Sequence, residues 1–249
     1  MTAIEGGRKR SSSIVPASAV PAAGHGGDER PSNLPEVFGL YLVMTDPVVG
    51  YEACAEAAVR RRVGFLQLRM KDALPEAVRA TARAIREITA GSCTRFIVND
   101  DVDLARQVNA DGVHLGQRDL PLDEARRRWP APGRIFGLST HDEGQELRAR
   151  ALAPDYVGVG PVFATPTKAV PDPVLGLERM GAIVRSSPLT TVAIGGITRE
   201  NLAQVLQQGA VNFCVVRAVM RSPDPESAIA ELQELWEREC SRARARDRG

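Results

Sequence analysis

Eight short runs of β-branched and apolar residues, each followed by a longer stretch with helical spacing, constrain this chain more than any other feature. The runs fall at 40–43, 65–69, 96–99, 112–115, 135–139, 156–159, 191–194 and 212–216. Each is short and apolar enough to be buried on both faces, as strands of a parallel sheet are. Helical periodicity occupies residues 51–62, 75–89, 101–109, 142–153, 199–208 and 224–239, and Gly209 stands where a helix would stop. The stretches after Leu115 and after Val159 carry a weaker pattern. Strands that alternate with helices mark βαβ units. Eight such units in roughly 205 residues predict an α/β fold, a single (β/α)8 TIM barrel near the lower end of its usual size. An open doubly wound sheet is the alternative.

The flanks differ from this pattern. Residues 1–35 are rich in Gly, Ser, Pro and Ala without apolar periodicity, so a disordered tail is expected there. The barrel is assigned to 36–240, and the basic run 241–249 to a solvated C-terminal tail. A formal net charge of +1 supplies no overall field to draw nucleic acid. No apolar run approaches the length of about 18 residues that a membrane helix needs. The stretch from Arg8 to Ala23 holds Pro16, Pro21 and three consecutive serines, and does not read as a signal peptide. Cys54, Cys93, Cys214 and Cys240 are scattered without a CxxC pair, which fits a reduced, cytoplasmic setting.

In a barrel of this kind the reactive groups belong at the C-terminal ends of the strands. The second run ends Gln67-Leu68-Arg69-Met70-Lys71, and period-two alternation puts Gln67, Arg69 and Lys71 on one face with Leu68 and Met70 on the other. Inward-facing cations call for anions, so a phosphate cradle is expected, the alternative being a solvated strand end. The third run continues into Asn99-Asp100-Asp101. Helix capping accounts for one of these carboxylates and leaves the other over. Asp119, beyond the fourth run, is placed to join Asp100, and two carboxylates facing a diphosphate suit one Mg2+ ion as well as capping does.

Ser139 closes the fifth run and is followed by Thr140-His141-Asp142, an ordinary capping sequence without a nucleophile elbow, so a ligand contact is expected rather than covalent serine chemistry. His114 and His141 read as packed or hydrogen-bonded residues. The loop Gly160-Pro161-Val162-Phe163-Ala164-Thr165-Pro166-Thr167-Lys168 carries two threonines and a lysine suited to wrapping an anion. Gly195-Gly196 after the seventh run, with Val216 and Arg217 after the eighth, stand where this fold commonly binds phosphate. Two anionic sites over one barrel suggest the joining of two phosphorylated molecules.

Seven motifs taken together resemble the thiamine phosphate synthase family: Tyr41-Leu-Val-Met-Thr-Asp46, Gln67-Leu-Arg-Met-Lys71, Val98-Asn-Asp100, Asp111-Gly-Val-His-Leu-Gly-Gln117, Gly137-Leu-Ser-Thr-His141, Gly160 through Lys168, and Ala193-Ile-Gly-Gly-Ile197. The resemblance implies a transferase that condenses a pyrimidine diphosphate with a thiazole phosphate, releasing pyrophosphate. It implies that Gln67, Arg69, Lys71, Asn99, Ser139 and Lys168 hold the pyrimidine diphosphate, with Leu68 and Met70 in the same motif, and that Asp100 and Asp119 bind Mg2+. It implies further that Thr165, Pro166, Thr167, Gly196, Val216 and Arg217 hold the thiazole phosphate. Pyrophosphate departs first in that family, leaving a pyrimidinylmethyl cation for the thiazole nitrogen to capture. Many relatives carry serine where this chain has Arg217, which bears on that side chain's role. The expected partners are small-molecule substrates, with no nucleic acid and no membrane; homo-oligomerisation is left open.

Overall fold

Strands that alternate inward and outward in period two need an apolar partner on each side, and in this chain they find it by closing on themselves. The computed structural model describes residues 34–167 and 172–246. Eight parallel strands form a closed barrel in sequence order: β1 (Leu40–Met44), β2 (Phe65–Leu68), β3 (Arg95–Asn99), β4 (Gly112–Leu115), β5 (Ile135–Thr140), β6 (Tyr156–Val159), β7 (Thr191–Ile194) and β8 (Phe213–Val215). Closure comes from β1 pairing with β8, Leu40 opposite Phe213 and Leu42 opposite Val215.

Helices follow the strands: α1 (Tyr51–Arg60), α2 (Pro75–Thr89), α3 (Val102–Gln107), α4 (Leu122–Arg128), α5 (Glu143–Leu152), α6 (Leu177–Ser186), α7 (Leu202–Gln207), a short α8 (Arg217–Met220) and α9 (Pro225–Arg246). The two weakly patterned stretches therefore contain α4 and α6. The last helix runs seven residues beyond the expected 239, through much of the basic run. Residues 1–33, most of the expected tail, lie outside the described residues, as do 168–171, which include Lys168, and 247–249. Among the described residues no helix is long and apolar enough to cross a membrane.

Alternation creates two cores. Outward residues such as Leu40, Leu42, Leu66, Leu68, Phe96, Val98 and Val113 pack under the helices, while Tyr41, Val43, Phe65, Ile97, Ile135, Tyr156, Val192 and Cys214 fill the barrel. Small residues let α1 lie close to the sheet, since Ala55, Ala57 and Ala58 are fully buried. Gly39 permits a similar approach by α9: its φ is +71°, and a Cβ there would lie 3.1 Å from the Trp236 ring.

Buried polar groups tie the lower ends of the strands together. The Asn212 side chain accepts from the backbone of Phe38 (2.7 Å) and Gly39 (3.0 Å) and donates to the carbonyls of Glu36 (2.8 Å) and Thr191 (3.2 Å). Asp111, only 4% exposed, accepts from Arg86 at 3.0 Å and from the Phe96 amide at 2.9 Å. Asp111→Ala is expected to cost about 2 kcal/mol, a discounted value because Arg86 retains some access to water. A lower urea midpoint with an unchanged slope would show it.

Candidate active site

The inward rows that fill the barrel continue upward into its open mouth and become the walls of a cavity. Val43, Gln67, Arg69, Asn99, His114, Ser139, Gly158, Ile194, Cys214 and Val216 all line this space of about 860 Å3, joined by Thr165, Pro166, Thr167, Gly196 and Arg217 from the upper loops. A smaller cleft of about 270 Å3 adjoins it, lined by Thr45, Asp46, Tyr51, Met70, Lys71, Asp72 and Arg221. Arg69, Pro166, Thr167 and Arg217 border both spaces.

Of the residues expected to touch ligand, Gln67, Arg69, Asn99, Ser139, Thr165, Pro166, Thr167, Gly196, Val216 and Arg217 come together in the main cavity. Two expectations need correction. Lys71 does not share the inward row of Gln67 and Arg69: β2 ends at Leu68, alternation lapses with it, and Lys71 enters the adjoining cleft. Leu68 is 3% exposed and packs in the outer core, where period two sends it, so its side chain reaches neither space. Lys168 falls outside the described residues.

The structure separates the two neighbouring aspartates by backbone geometry. Asp101 caps α3 by accepting from Leu104 N at 2.8 Å. Asp100 takes a left-handed φ of +63°, which turns its carboxylate away from that helix and onto Lys71 and Asp119. The left-handed region is costly for most side chains and least so for Asp and Asn. Asp119 also accepts from Gly116 N at 2.7 Å, where a Cβ on Gly116 would crowd the carboxylate at 2.8 Å. Burial, then contact with Asp119, raises the pKa of Asp100 despite Lys71. Burial works to raise Asp119 as well, but hydrogen bonds from Asp100 and the Gly116 amide, with the charge of Lys71, outweigh it and hold Asp119 low. Two carboxylates in contact, one of them reluctant to ionise, are hard oxygen donors of the kind a divalent cation could use.

Among the described residues no group of three or more His, Cys, Asp or Glu side chains converges on a metal position. That does not conflict with Mg2+, which takes one or two carboxylates when substrate phosphates and water complete its shell.

Gly195 and Gly196 have a structural reason to be glycine. Their φ values are +102° and +64°, and Cβ atoms there would lie 2.4 Å from Pro161 and 2.8 Å from Ala164 O. The loop after β6 packs directly on them, held by Val162 N to Ile194 O at 2.9 Å and Phe163 N to Gly195 O at 3.0 Å.

Residues that sequence reasoning did not assign to a ligand also enter the site, among them His141, which is hydrogen-bonded as expected. His141 Nδ1 lies 2.6 Å from Gly160 O, and Nε2 lies 3.6 Å from Asp172, so this side chain ties the β6 loop to β5. Asp46 and Tyr51 wall the cleft, with the Asp46 amide donating to the Tyr51 hydroxyl at 3.0 Å. The polar pair Thr45-Asp46 directly beyond β1 was the available signal.

Together, a closed (β/α)8 barrel and a cavity bordered by Arg69 and Arg217 at the C-terminal ends of its strands define the class of barrel enzymes that take small molecules at this face. Residues 40–219 match the family model for thiamine monophosphate synthase. A thiamine-phosphate synthase from Anaeromyxobacter dehalogenans is 40% identical over 201 residues, covering 80% of this chain and 88% of that protein. One from Synechocystis is 45% identical over 193 residues, covering 78% of this chain, which spans only 55% of that longer protein. A solved thiamine phosphate pyrophosphorylase from Pyrococcus furiosus superposes with a TM-score of 0.74 at 32% identity, covering 81% of this chain and 96% of that one. The chain belongs to the thiamine monophosphate synthase family and is an enzyme of that class, a transferase.

Proposed function

We propose that this chain condenses an aminopyrimidine bearing a methyl diphosphate with a thiazole phosphate, giving thiamine phosphate and pyrophosphate, or with its carboxylated form, giving carbon dioxide as well. The observation that carries the reading is the continuity of the two spaces: an open cavity and a cationic cleft meet at Arg69 and Arg217. In this reading the pyrimidine lies against Gln67, Asn99 and Ser139, with its diphosphate toward Arg69, Lys71 and Lys168. The thiazole phosphate lies toward Thr165, Thr167, Gly196, Val216 and Arg217. Asp100 and Asp119 would hold Mg2+, which would supply positive charge beside the diphosphate.

The steps assigned to the protein are electrostatic and positional. The bond between the pyrimidinylmethyl carbon and its diphosphate oxygen breaks with its electron pair leaving on oxygen, and Arg69 and Lys71 stabilise the charge that develops. Among the described residues no ion pair occupies Arg69, so its charge is not already spent on a neighbour. The thiazole nitrogen then donates its lone pair to the carbon. Because that nitrogen carries no proton, no general base is needed. The walls contribute by holding the two reactants at near-attack distance. A reduced, cytoplasmic setting belongs to the same reading and accords with four cysteines that form no disulfide.

The test is direct. Purified protein given both substrates and Mg2+ is expected to release pyrophosphate and thiamine phosphate in equal amounts, and to stop when EDTA is added. Folded protein that forms neither product with Mg2+ present would refute the proposal.

A further inference from the structure

A line of hydrogen bonds crosses the barrel interior beneath the cavity. Gln67 Nε2 donates to the Tyr41 hydroxyl at 2.7 Å, and the Tyr41 and Tyr156 hydroxyls are 2.7 Å apart. The Tyr156 hydroxyl lies 3.0 Å from His114 Nδ1, and His114 Nε2 lies 2.9 Å from Ser139 Oγ. The far end is held a second time, since Gln117 Nε2 donates to the Ser139 carbonyl at 2.5 Å. Both tyrosines are almost completely buried. The barrel makes room for one of them at a specific cost in sequence: a Cβ on Gly137 would lie 2.2 Å from Tyr156 Cζ and 2.4 Å from its oxygen.

Counting protons gives this line a direction. Each phenol has one hydrogen, and burial raises the pKa of both, so neither loses it in ordinary buffers. With the Gln67 amide donating to Tyr41, the Tyr41 hydrogen goes to Tyr156 and the Tyr156 hydrogen to His114 Nδ1. A neutral imidazole that accepts at Nδ1 carries its hydrogen on Nε2, and so donates to Ser139 Oγ. The Ser139 hydrogen is then free to point into the cavity. At the other end Gln67 Oε1, with no hydrogen bond among the described residues, is left as an acceptor.

We propose that Tyr41, Tyr156 and His114 are positioning residues forming a proton-ordered relay that presents Gln67 as an acceptor and Ser139 as a donor to one substrate. An aminopyrimidine matches that polarity, because it offers an amino group to donate and ring nitrogens to accept. Rings of the reverse polarity leave a buried group unpaired and are rejected. This assignment of the ligand rests on the proposed function; the order of protons does not.

The experiment has two readouts on the full chain. The first is long-range 1H–15N correlation of the histidine rings at about pH 8, with the His114 signals identified by their loss in His114→Gln. Wild type is expected to show His114 as the neutral Nε2–H tautomer. Tyr156→Phe removes the donor to Nδ1 and should shift the signals toward the other tautomer, whereas Tyr41→Phe should leave them in place. The second readout is steady-state kinetics, in which both variants should raise KM for the pyrimidine diphosphate by about 10-fold and leave KM for the thiazole phosphate unchanged, the scale of one lost positioned hydrogen bond. An Nδ1–H or doubly protonated His114 in wild type would overturn the relay even if Tyr156→Phe failed to fold. Unchanged KM values in a folded Tyr41→Phe or Tyr156→Phe would overturn its role in positioning. Wild type inactive on both substrates, but with the expected tautomer, would remove the ligand assignment and leave the relay standing.

Discussion

Asp100→Asn is expected to lower kcat/KM by about 100- to 1,000-fold while leaving the protein folded, a loss on the scale of removing one preorganised electrostatic contact from a transition state. Asparagine is the suitable replacement because position 100 has φ +63°, a conformation that Asn tolerates better than Ala. The Asp100 amide should still donate to His114 O at 2.8 Å, and the Asp101 cap is untouched. What changes is charge: Lys71 loses its anionic partner, and the carboxylate pair falls to one. Relief of the crowding between two carboxylates means that the melting temperature should hold or rise. Steady-state kinetics beside a thermal melt separates the outcomes. Activity within threefold of wild type would exclude Asp100 from the reaction, and a lower melting temperature would make its role structural.

Gly112→Ala should produce a stability loss above about 4 kcal/mol, although the residue lies at the opposite end of the barrel from the cavity. A Cβ there would lie 2.1 Å from the carbonyl oxygen of Ile135 and 2.6 Å from its Cβ. Both strands are fixed by their ladder, Gly112 opposite Ile135, so neither backbone can give way without opening the β4–β5 pair. For a chain of this size the melting temperature should fall by about 10 °C or more, or the protein should be recovered insoluble. Gly91→Ala is the control: its φ is +72° but nothing lies within 4 Å, so only backbone strain of about 1 kcal/mol is added. Equal losses in the two variants would refute the steric account.

Much of this was legible in the chain because the controlling interactions are local. Strands β4, β6 and β7 and helix α2 fall where the periodicity puts them, since burial on both faces leaves little choice of residue in a parallel strand. The weaker segments hide α4 and α6. The first is short and carries three consecutive arginines at its end; the second has an apolar stripe in Leu177, Met180, Ile183 and Val184, but the long loop before it hides where the helix begins. Splitting the end of the chain into α8 and α9 was not foreseen, because four residues make too short a helix for a period to show.

In the site the division has a physical cause. The sequence determined the barrel, the inward row through Gln67, Arg69, Asn99 and Ser139, and the presence of a spare carboxylate in Asn99-Asp100-Asp101, because period two and capping preference operate over a few residues. Only the tertiary structure decided which aspartate was spare, that Lys71 leaves the row for the neighbouring cleft, and that two buried tyrosines and a histidine join Gln67 to Ser139. Those outcomes depend on where a strand stops, on one left-handed backbone angle and on contacts between strands far apart in sequence, none of which a local pattern encodes.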